Sequence, residues 1–225
     1  MVMDKPGAFI FDIDGTLVDS MDAHTQAWLA FLEQKGVRLD SPDARTALVG
    51  RTTRDILVQV FGGGLSEADI QELTEQKESL YRQLYLPKLV PLPGLLDFLE
   101  QSRQLGIPMA VASSAHKPNI DYTLDGLGIR AFFKEIIGEE QVEHPKPDPE
   151  IYRVTSMRLG VPPQCCIVFE DSAVGIRAAL GAGMRVIGVA TTLEEEALRR
   201  DFPLEAVIRD YTEVEPETLI ETFER

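Results

Sequence analysis

The sequence predicts an α/β fold: a doubly wound parallel sheet with an all-helical segment inserted after its first strand. Three observations carry that expectation. A short apolar run, Ala8–Phe11, closes on Asp12-Ile13-Asp14-Gly15-Thr16, as a buried strand ends in turn chemistry. From Ser20 to about Leu86 apolar residues recur at helical spacing, with no strand candidate among them. From Gly94 onward short apolar strands alternate with helices, which implies parallel strands joined by helices on both faces of one sheet.

Taken in order, the first strand delivers Asp12 and Asp14 to its carboxyl end, where ligands gather in open α/β sheets. Two acids so close repel and are costly to bury without a cation between them. Asp12–Gly15 therefore suggests a site for Mg²⁺ and phosphate, with Asp12 as a nucleophile; an ordinary Asp-Gly turn is the plain alternative. After Asp19-Ser20, the spacing of Ala27, Trp28, Phe31 and Leu32 predicts a helix with Gly36 at its end. A second helix is expected from Ser41-Pro42-Asp43 to near Gly50. A third, capped by Thr52 or Thr53, carries Ile56, Leu57, Val60 and Phe61. Gly62-Gly63-Gly64 breaks the chain, and Ser66-Glu67-Ala68-Asp69 opens a long polar helix to about Tyr85. The three prolines in 87–93 mark a boundary. Beyond it, helices are expected at 95–105, 119–127, 149–159, 174–182, 193–200 and 216–223. They alternate with strands at 108–112, 135–138, 166–169, 185–189 and an edge strand at 206–208.

The later strand ends carry chemistry of the same kind. Ser113-Ser114 follows the second strand with hydroxyls suited to phosphate oxygens, although such a pair equally often caps a helix. Lys146 is bracketed by prolines in His144-Pro145-Lys146-Pro147-Asp148-Pro149, which restricts the backbone that carries it; a solvated loop lysine is the plain alternative. Glu170-Asp171-Ser172, followed by Gly175, puts two more acids at a strand end, again suited to Mg²⁺ unless Asp171 or Ser172 merely caps the next helix.

Composition narrows the function classes. The chain has 225 residues, 44% hydrophobic and 7% aromatic, enough for one large domain or a core with a modest insertion. Its net charge of −15 argues against a nucleic-acid or anionic-membrane partner and makes a local positive patch necessary for any anionic substrate. Cys165 and Cys166 are adjacent and, in a strand, point to opposite faces, so neither a disulfide nor a metal site is expected of them. With no apolar stretch of membrane-spanning length and no signal-like run in Met1–Gly7, a cytoplasmic protein is expected.

With Asp12-Ile13-Asp14-Gly15-Thr16, Ser113, Lys146 and Glu170-Asp171 with Gly175 in this order and spacing, the chain resembles the haloacid dehalogenase superfamily of aspartyl-phosphate phosphotransferases. Within it, the chain is similar to the β-phosphoglucomutase-like phosphatases with a helical cap. The resemblance covers nearly the whole chain. It implies a Rossmann-like core over 1–18 and 89–225 and a helical cap over 19–88. It also implies Asp12 as nucleophile and Mg²⁺ ligand, and Asp14 as general acid/base with its backbone carbonyl on the metal. Ser113, with Ser114 beside it, and Lys146 would hold the transferring phosphoryl group, and Glu170 and Asp171 would complete the Mg²⁺ site. In the cap, His24, one turn before Trp28, stands where the resembled mutases have a substrate-contacting histidine; a histidine packed in the core of an apolar helical face is the alternative. Arg51 and Arg54 are candidates for a second phosphate, although Val49 and Thr53 occupy the positions aligned with the mutases' basic residues.

The expected function is thus Mg²⁺-dependent hydrolysis of a small phosphomonoester, a sugar phosphate above all, by a monomer whose partner is a small phosphorylated metabolite. β-Phosphoglucomutase activity is the alternative, and the displaced basic residues weigh against it. A non-catalytic phosphate-binding module is the lesser alternative, which has no need of both Asp12 and Asp14. A phosphonatase is disfavoured because no cap lysine is evidently placed for a Schiff base.

Overall fold

The computed structural model describes residues 7–37 and 53–221. These divide into two compact units, one within Met1–Asp19 and Val90–Arg225, the other within Ser20–Leu89.

The larger unit is built on six strands: β1 (Ala8–Phe11), β2 (Met109–Ala112), β3 (Glu135–Ile137), β4 (Cys166–Glu170), β5 (Arg185–Val189) and β6 (Ala206–Ile208). They form one sheet in the order β3-β2-β1-β4-β5-β6, and every neighbouring pair is parallel. This is the doubly wound α/β fold expected from the alternation of strands and helices, and its central strands are apolar on both faces. All four residues of β1 are fully buried. Phe9 and Phe11 face one side, where Phe11 stacks on Phe169 at 4.8 Å and Phe98 and Tyr211 complete an aromatic layer. Ala8 and Ile10 face the other, among Ala110, Ala112, Cys166, Val168 and Val186. Both cysteines are free and buried, and burial pushes the Cys166 thiol up to about 12.

The strand order reverses between β1 and β4, so the carboxyl ends of these two strands flank the crevice where such folds bind ligands. Asp12 and Asp14 follow one of these strands; Glu170 ends the other and Asp171 follows it.

The smaller unit holds helices α1 (Met21–Gln34), α2 (Thr53–Phe61) and α3 (Glu67–Tyr85). Trp28, Phe31, Leu32, Ile56, Leu57 and Ile70 form its core. Ser66 opens α3 as anticipated: its hydroxyl accepts from the Asp69 N–H at 3.2 Å, and Asp69 accepts from the Ser66 N–H at 2.8 Å. The helix anticipated between Ser41 and Gly50 lies outside the described residues, as do Val49, Arg51 and Thr52.

Helices α4 (Leu95–Gln104), α5 (Lys117–Gly126), α6 (Glu150–Leu159), α7 (Ala173–Gly181), α8 (Glu195–Asp201) and α9 (Pro216–Glu221) belong to the larger unit. Two starts differ from expectation by two residues. α5 begins at Lys117, two residues early, because His116 takes the N-cap position and Pro118 fits the first turn. The Ser113-Ser114 pair therefore does not cap it. α8 begins at Glu195, two residues late, its acids Glu195 and Glu196 lying in the first turn. No helix among the described residues is long and apolar enough to cross a membrane.

Candidate active site

The site is assembled where β1, β2 and β4 end. Asp12 continues the β1–β4 pairing, its N–H donating to the Phe169 carbonyl at 3.1 Å. The chain then turns tightly. The Ile13 carbonyl accepts from the N–H groups of Thr16, Leu17 and Val18, and the Gly15 N–H donates to the Val18 carbonyl at 2.7 Å. Gly15 has φ +81°, and a Cβ there would stand 2.0 Å from Asp171 Oδ2, so only glycine fits.

Lys146 lies at the centre. Its ammonium donates to Asp12 Oδ1 at 2.7 Å, to Glu170 Oε1 at 2.7 Å and to the Ala112 carbonyl at 3.1 Å. All three of its donors are thereby used, one at the end of each of three adjacent strands. The side chain is 4% exposed and lies 4.9 Å from the centre of the Tyr152 ring. Its loop is closed by Glu150, which accepts from the N–H groups of Glu143 and His144 and contacts His144 Nδ1 at 2.8 Å. His144, Asp148 and Glu150 bring their ligating atoms within 4.8 Å of one another, but His144 and Glu150 are bonded as a brace for this loop and the trio stands largely in solvent.

Glu170 is saturated. Oε1 accepts from Lys146 and from the Tyr152 hydroxyl at 3.0 Å; Oε2 accepts from the Asp171 N–H, the Ser172 N–H and the Ser172 hydroxyl, each at 3.0 Å. A Cβ on Gly175 would fall 1.6 Å from Oε1, so that glycine exists to admit this carboxylate. Ser172 is also the N-cap of α7, its hydroxyl accepting from the Gly175 N–H. Asp171 has fewer partners: the Thr192 hydroxyl donates to Oδ2, and the Thr16 hydroxyl stands 3.5 Å from Oδ1.

The electrostatics follow from burial. Burial pushes Asp12 up to about 7, Lys146 opposing the shift and Glu170 and Asp14 adding to it. Burial likewise raises Asp171 well above the carboxylate range, with Glu170 and Asp12 repelling its charge. Burial acts to raise Glu170 as well, but Lys146 and the hydrogen bonds outweigh it and hold this acid low. Three buried acids face one lysine, and two of them are disfavoured as anions. Hard oxygen donors with surplus negative charge are the chemistry that Mg²⁺ takes.

Of the other anticipated residues, Ser113 is buried, its N–H bonded to the Ile137 carbonyl and its hydroxyl accepting from the Ala115 N–H at 3.1 Å. Ser114 is exposed. In the helical unit, His24 stacks on Tyr81 at 3.7 Å, and its Nδ1 lies 3.0 Å from the Lys77 ammonium. Arg54 is exposed and paired with Glu67 across two hydrogen bonds. Arg51 lies outside the described residues.

Several residues escaped the sequence reading. Lys77 is a buried cap lysine, paired with Glu78 at 2.9 Å and lying 5.2 Å from the Trp28 ring. Tyr152 lies six residues past Lys146 with no local signal. Thr191 and Thr192 follow β5 and could have been found by applying the strand-end rule to a further strand.

The model of the haloacid dehalogenase-like hydrolase family matches residues 9–189. The chain belongs to that family. It is 33% identical over 186 residues to the fructose-1-phosphate phosphatase of Escherichia coli, covering 83% of this chain and 97% of that protein. To the β-phosphoglucomutase of Bacillus subtilis it is 34% identical over 190 residues, covering 81% and 82%. Among solved structures, a family IA, variant 3 HAD hydrolase from Entamoeba histolytica superposes with a TM-score of 0.90 at 28% identity, covering 97% of this chain and 100% of that one. The haloacid dehalogenase-like matched region runs from within β1 to the end of β5 and so includes every residue of the Lys146 cluster.

Proposed function

We propose that the protein is a Mg²⁺-dependent phosphatase of small phosphomonoesters, sugar phosphates in particular, acting through an aspartyl-phosphate on Asp12. The observation that carries this reading is Lys146 bridging Asp12 and Glu170 beside Asp171 at the strand-order reversal. A carboxylate oxygen of Asp12 attacks phosphorus while the bond to the sugar oxygen breaks. Lys146 keeps the Asp12 carboxylate in one orientation and offsets negative charge as the phosphoryl group moves. Asp14 protonates the departing alkoxide and, now a carboxylate, takes a proton from the water that attacks the phosphoryl-Asp12. Ser113 holds a phosphoryl oxygen. Asp12, Asp171 and the Asp14 carbonyl would hold Mg²⁺, because Glu170 has spent both oxygens on five protein donors. Bound there, Mg²⁺ supplies neutralising charge for the carboxylates and the phosphoryl oxygens.

The acid cluster predicts how the cation is felt. Asp12 rises from an ordinary 3.8 to about 7, so the folded chain binds more protons than the unfolded chain across that window. Stability in EDTA should therefore fall as pH rises through it, and Asp171 acts in the same direction. Glu170, held below its ordinary 4.5, acts oppositely only in the acid range beneath that value. Because Mg²⁺ competes with these protons, its stabilisation should grow with pH between about 5 and 7. Melting curves with and without Mg²⁺ across that range check this, and a shift independent of pH would detach the cation from these acids.

The phosphatase reading is preferred to the mutase because a mutase must grip a bisphosphate at both ends. Thr53 begins α2 where the mutases are basic, and Arg54 is committed to Glu67. The kinship to a fructose-1-phosphate phosphatase supports the same choice, while that to a β-phosphoglucomutase keeps the second reading in view. With β-glucose 1-phosphate and a trace of the 1,6-bisphosphate, free phosphate is expected as the main product. Rapid glucose 6-phosphate with little free phosphate would make the protein a mutase.

A further inference from the structure

The loop after β5 carries two adjacent hydroxyls that the mechanism leaves unused. Thr191 donates to the carbonyl of Gly15, in the turn after β1. Thr192 donates to Oδ2 of Asp171, after β4. A loop beyond β5 thus ties together the two segments that would supply the metal's protein ligands. Little slack is left: a Cβ on Gly15 would stand 2.0 Å from Asp171 Oδ2 and 3.1 Å from Thr192 Oγ1. Thr16, fully buried, approaches the other oxygen of Asp171.

Asp171 needs such a restraint. The residue is 2% exposed, and among the described residues only the Thr16 hydroxyl, at 3.5 Å, stands beside Thr192 to orient its carboxylate. Glu170 cannot move in sympathy, because five donors fix it. One hydroxyl per oxygen still leaves Asp171 a lone pair on each for a cation, whereas Glu170 has none to spare.

We propose that Thr192 is a positioning residue of the cation site, holding Asp171 in its ligating orientation while Thr191 anchors the Gly15 turn against it. The proposal rests on the Mg²⁺-dependent reading above. Hydrogen-bond partners of metal ligands govern affinity through orientation, and their loss typically costs about 10- to 100-fold.

The test is calorimetric titration of metal-free protein with Mn²⁺, a spectroscopically and thermodynamically convenient stand-in for Mg²⁺, followed by Mg²⁺ competition. Thr192→Val keeps the volume and removes the donor; it is expected to weaken Mn²⁺ binding about 10- to 100-fold. Thr192→Ser restores the hydroxyl and should bind within a few-fold of wild type. In turnover, the Mg²⁺ concentration for half-activation should rise for Thr192→Val while the substrate KM stays put. Wild-type Mn²⁺ affinity in Thr192→Val overturns the proposal, and so does a Thr192→Ser as weak as Thr192→Val, since packing would then be responsible. If Thr192→Val does not fold, Thr192→Ala carries the same comparison. Loss of Mn²⁺ binding in Asp171→Asn, with Thr192→Val unaffected, leaves the metal reading standing and removes only the brace. A wild-type protein that binds no Mn²⁺ defeats the metal reading and the brace with it.

Discussion

Asp12→Asn is expected to lower phosphate release by three orders of magnitude or more, on the order of what loss of a catalytic nucleophile costs elsewhere. The amide has the shape of the carboxylate but no anionic oxygen to attack phosphorus. Its carbonyl oxygen can still accept from Lys146, so the ammonium keeps its bonds to Glu170 and the Ala112 carbonyl. The fold should not suffer. Asp12 is an acid that burial has raised to about 7, so the anion it becomes above neutrality costs the folded chain stability relative to the unfolded one. Replacing it removes that strain and leaves one lysine against Glu170 and Asp171. In EDTA at pH 8, Asp12→Asn should therefore melt at or above the wild-type temperature while turnover is lost. Residual activity of more than a few per cent in the purified variant would remove Asp12 from the chemistry. A sharply lowered melting temperature would recast it as a structural partner of Lys146.

The strands were legible because their signals are local. Ala8–Phe11 and Cys166–Phe169 are continuous apolar runs of four residues, too short for a buried helix and closed by turn residues. Once the strands are placed, the rule that ligands gather at carboxyl ends brings Asp12, Ser113, Glu170 and Asp171 to one edge without any knowledge of packing. What was not legible depends on counts of donors and on burial across the fold. A sequence shows two neighbouring acids in Glu170-Asp171 but not that one of them collects five donors and the other far fewer. The donors come from a loop, a helix and the next two residues, which only the folded chain brings together. Tyr152 reads as an ordinary core aromatic on α6, and its hydroxyl matters only because Glu170 lies opposite. Lys77 lies on a helix that is polar by sequence and carries no mark of its own there; the Trp28 and Tyr81 rings and the Glu78 carboxylate surround it in the fold. Thr191 and Thr192 were within reach, since they too follow a strand, but nothing in the sequence separates such a hydroxyl pair from ordinary turn residues.

Lys146→Met is expected to cost both stability and rate, and the two losses should be separable. The lysine is the sole cation bonded to Asp12 and Glu170 among the described residues, and removing it leaves two buried acids with no compensating cation, Glu170 keeping only its neutral donors. Breaking a buried pair by deleting one partner typically costs about 3–5 kcal/mol. Part of that will be relieved by protonation. With the ammonium gone both acids hold protons to higher pH, so the deficit should widen as pH rises and shrink in acid. Turnover should fall by about a hundredfold to a thousandfold, the usual consequence of losing one charge-stabilising donor at a reacting centre. Adding Glu170→Gln tests whether the lysine acts through charge balance alone. The glutamine oxygen can keep the N–H bonds of Asp171 and Ser172, and one of the two stranded charges disappears. The double variant should therefore regain much of the stability lost by Lys146→Met, with a coupling energy of the order of a kcal/mol or more. It should regain none of the rate, because the phosphoryl group still lacks its cation. Lys146→Met matching the wild type in EDTA melting at pH 8 would show that the bonds to Asp12 and Glu170 do not carry the balance of charge. Recovery of turnover in the double variant would show that Lys146 serves only to neutralise Glu170 and has no part in the transfer itself.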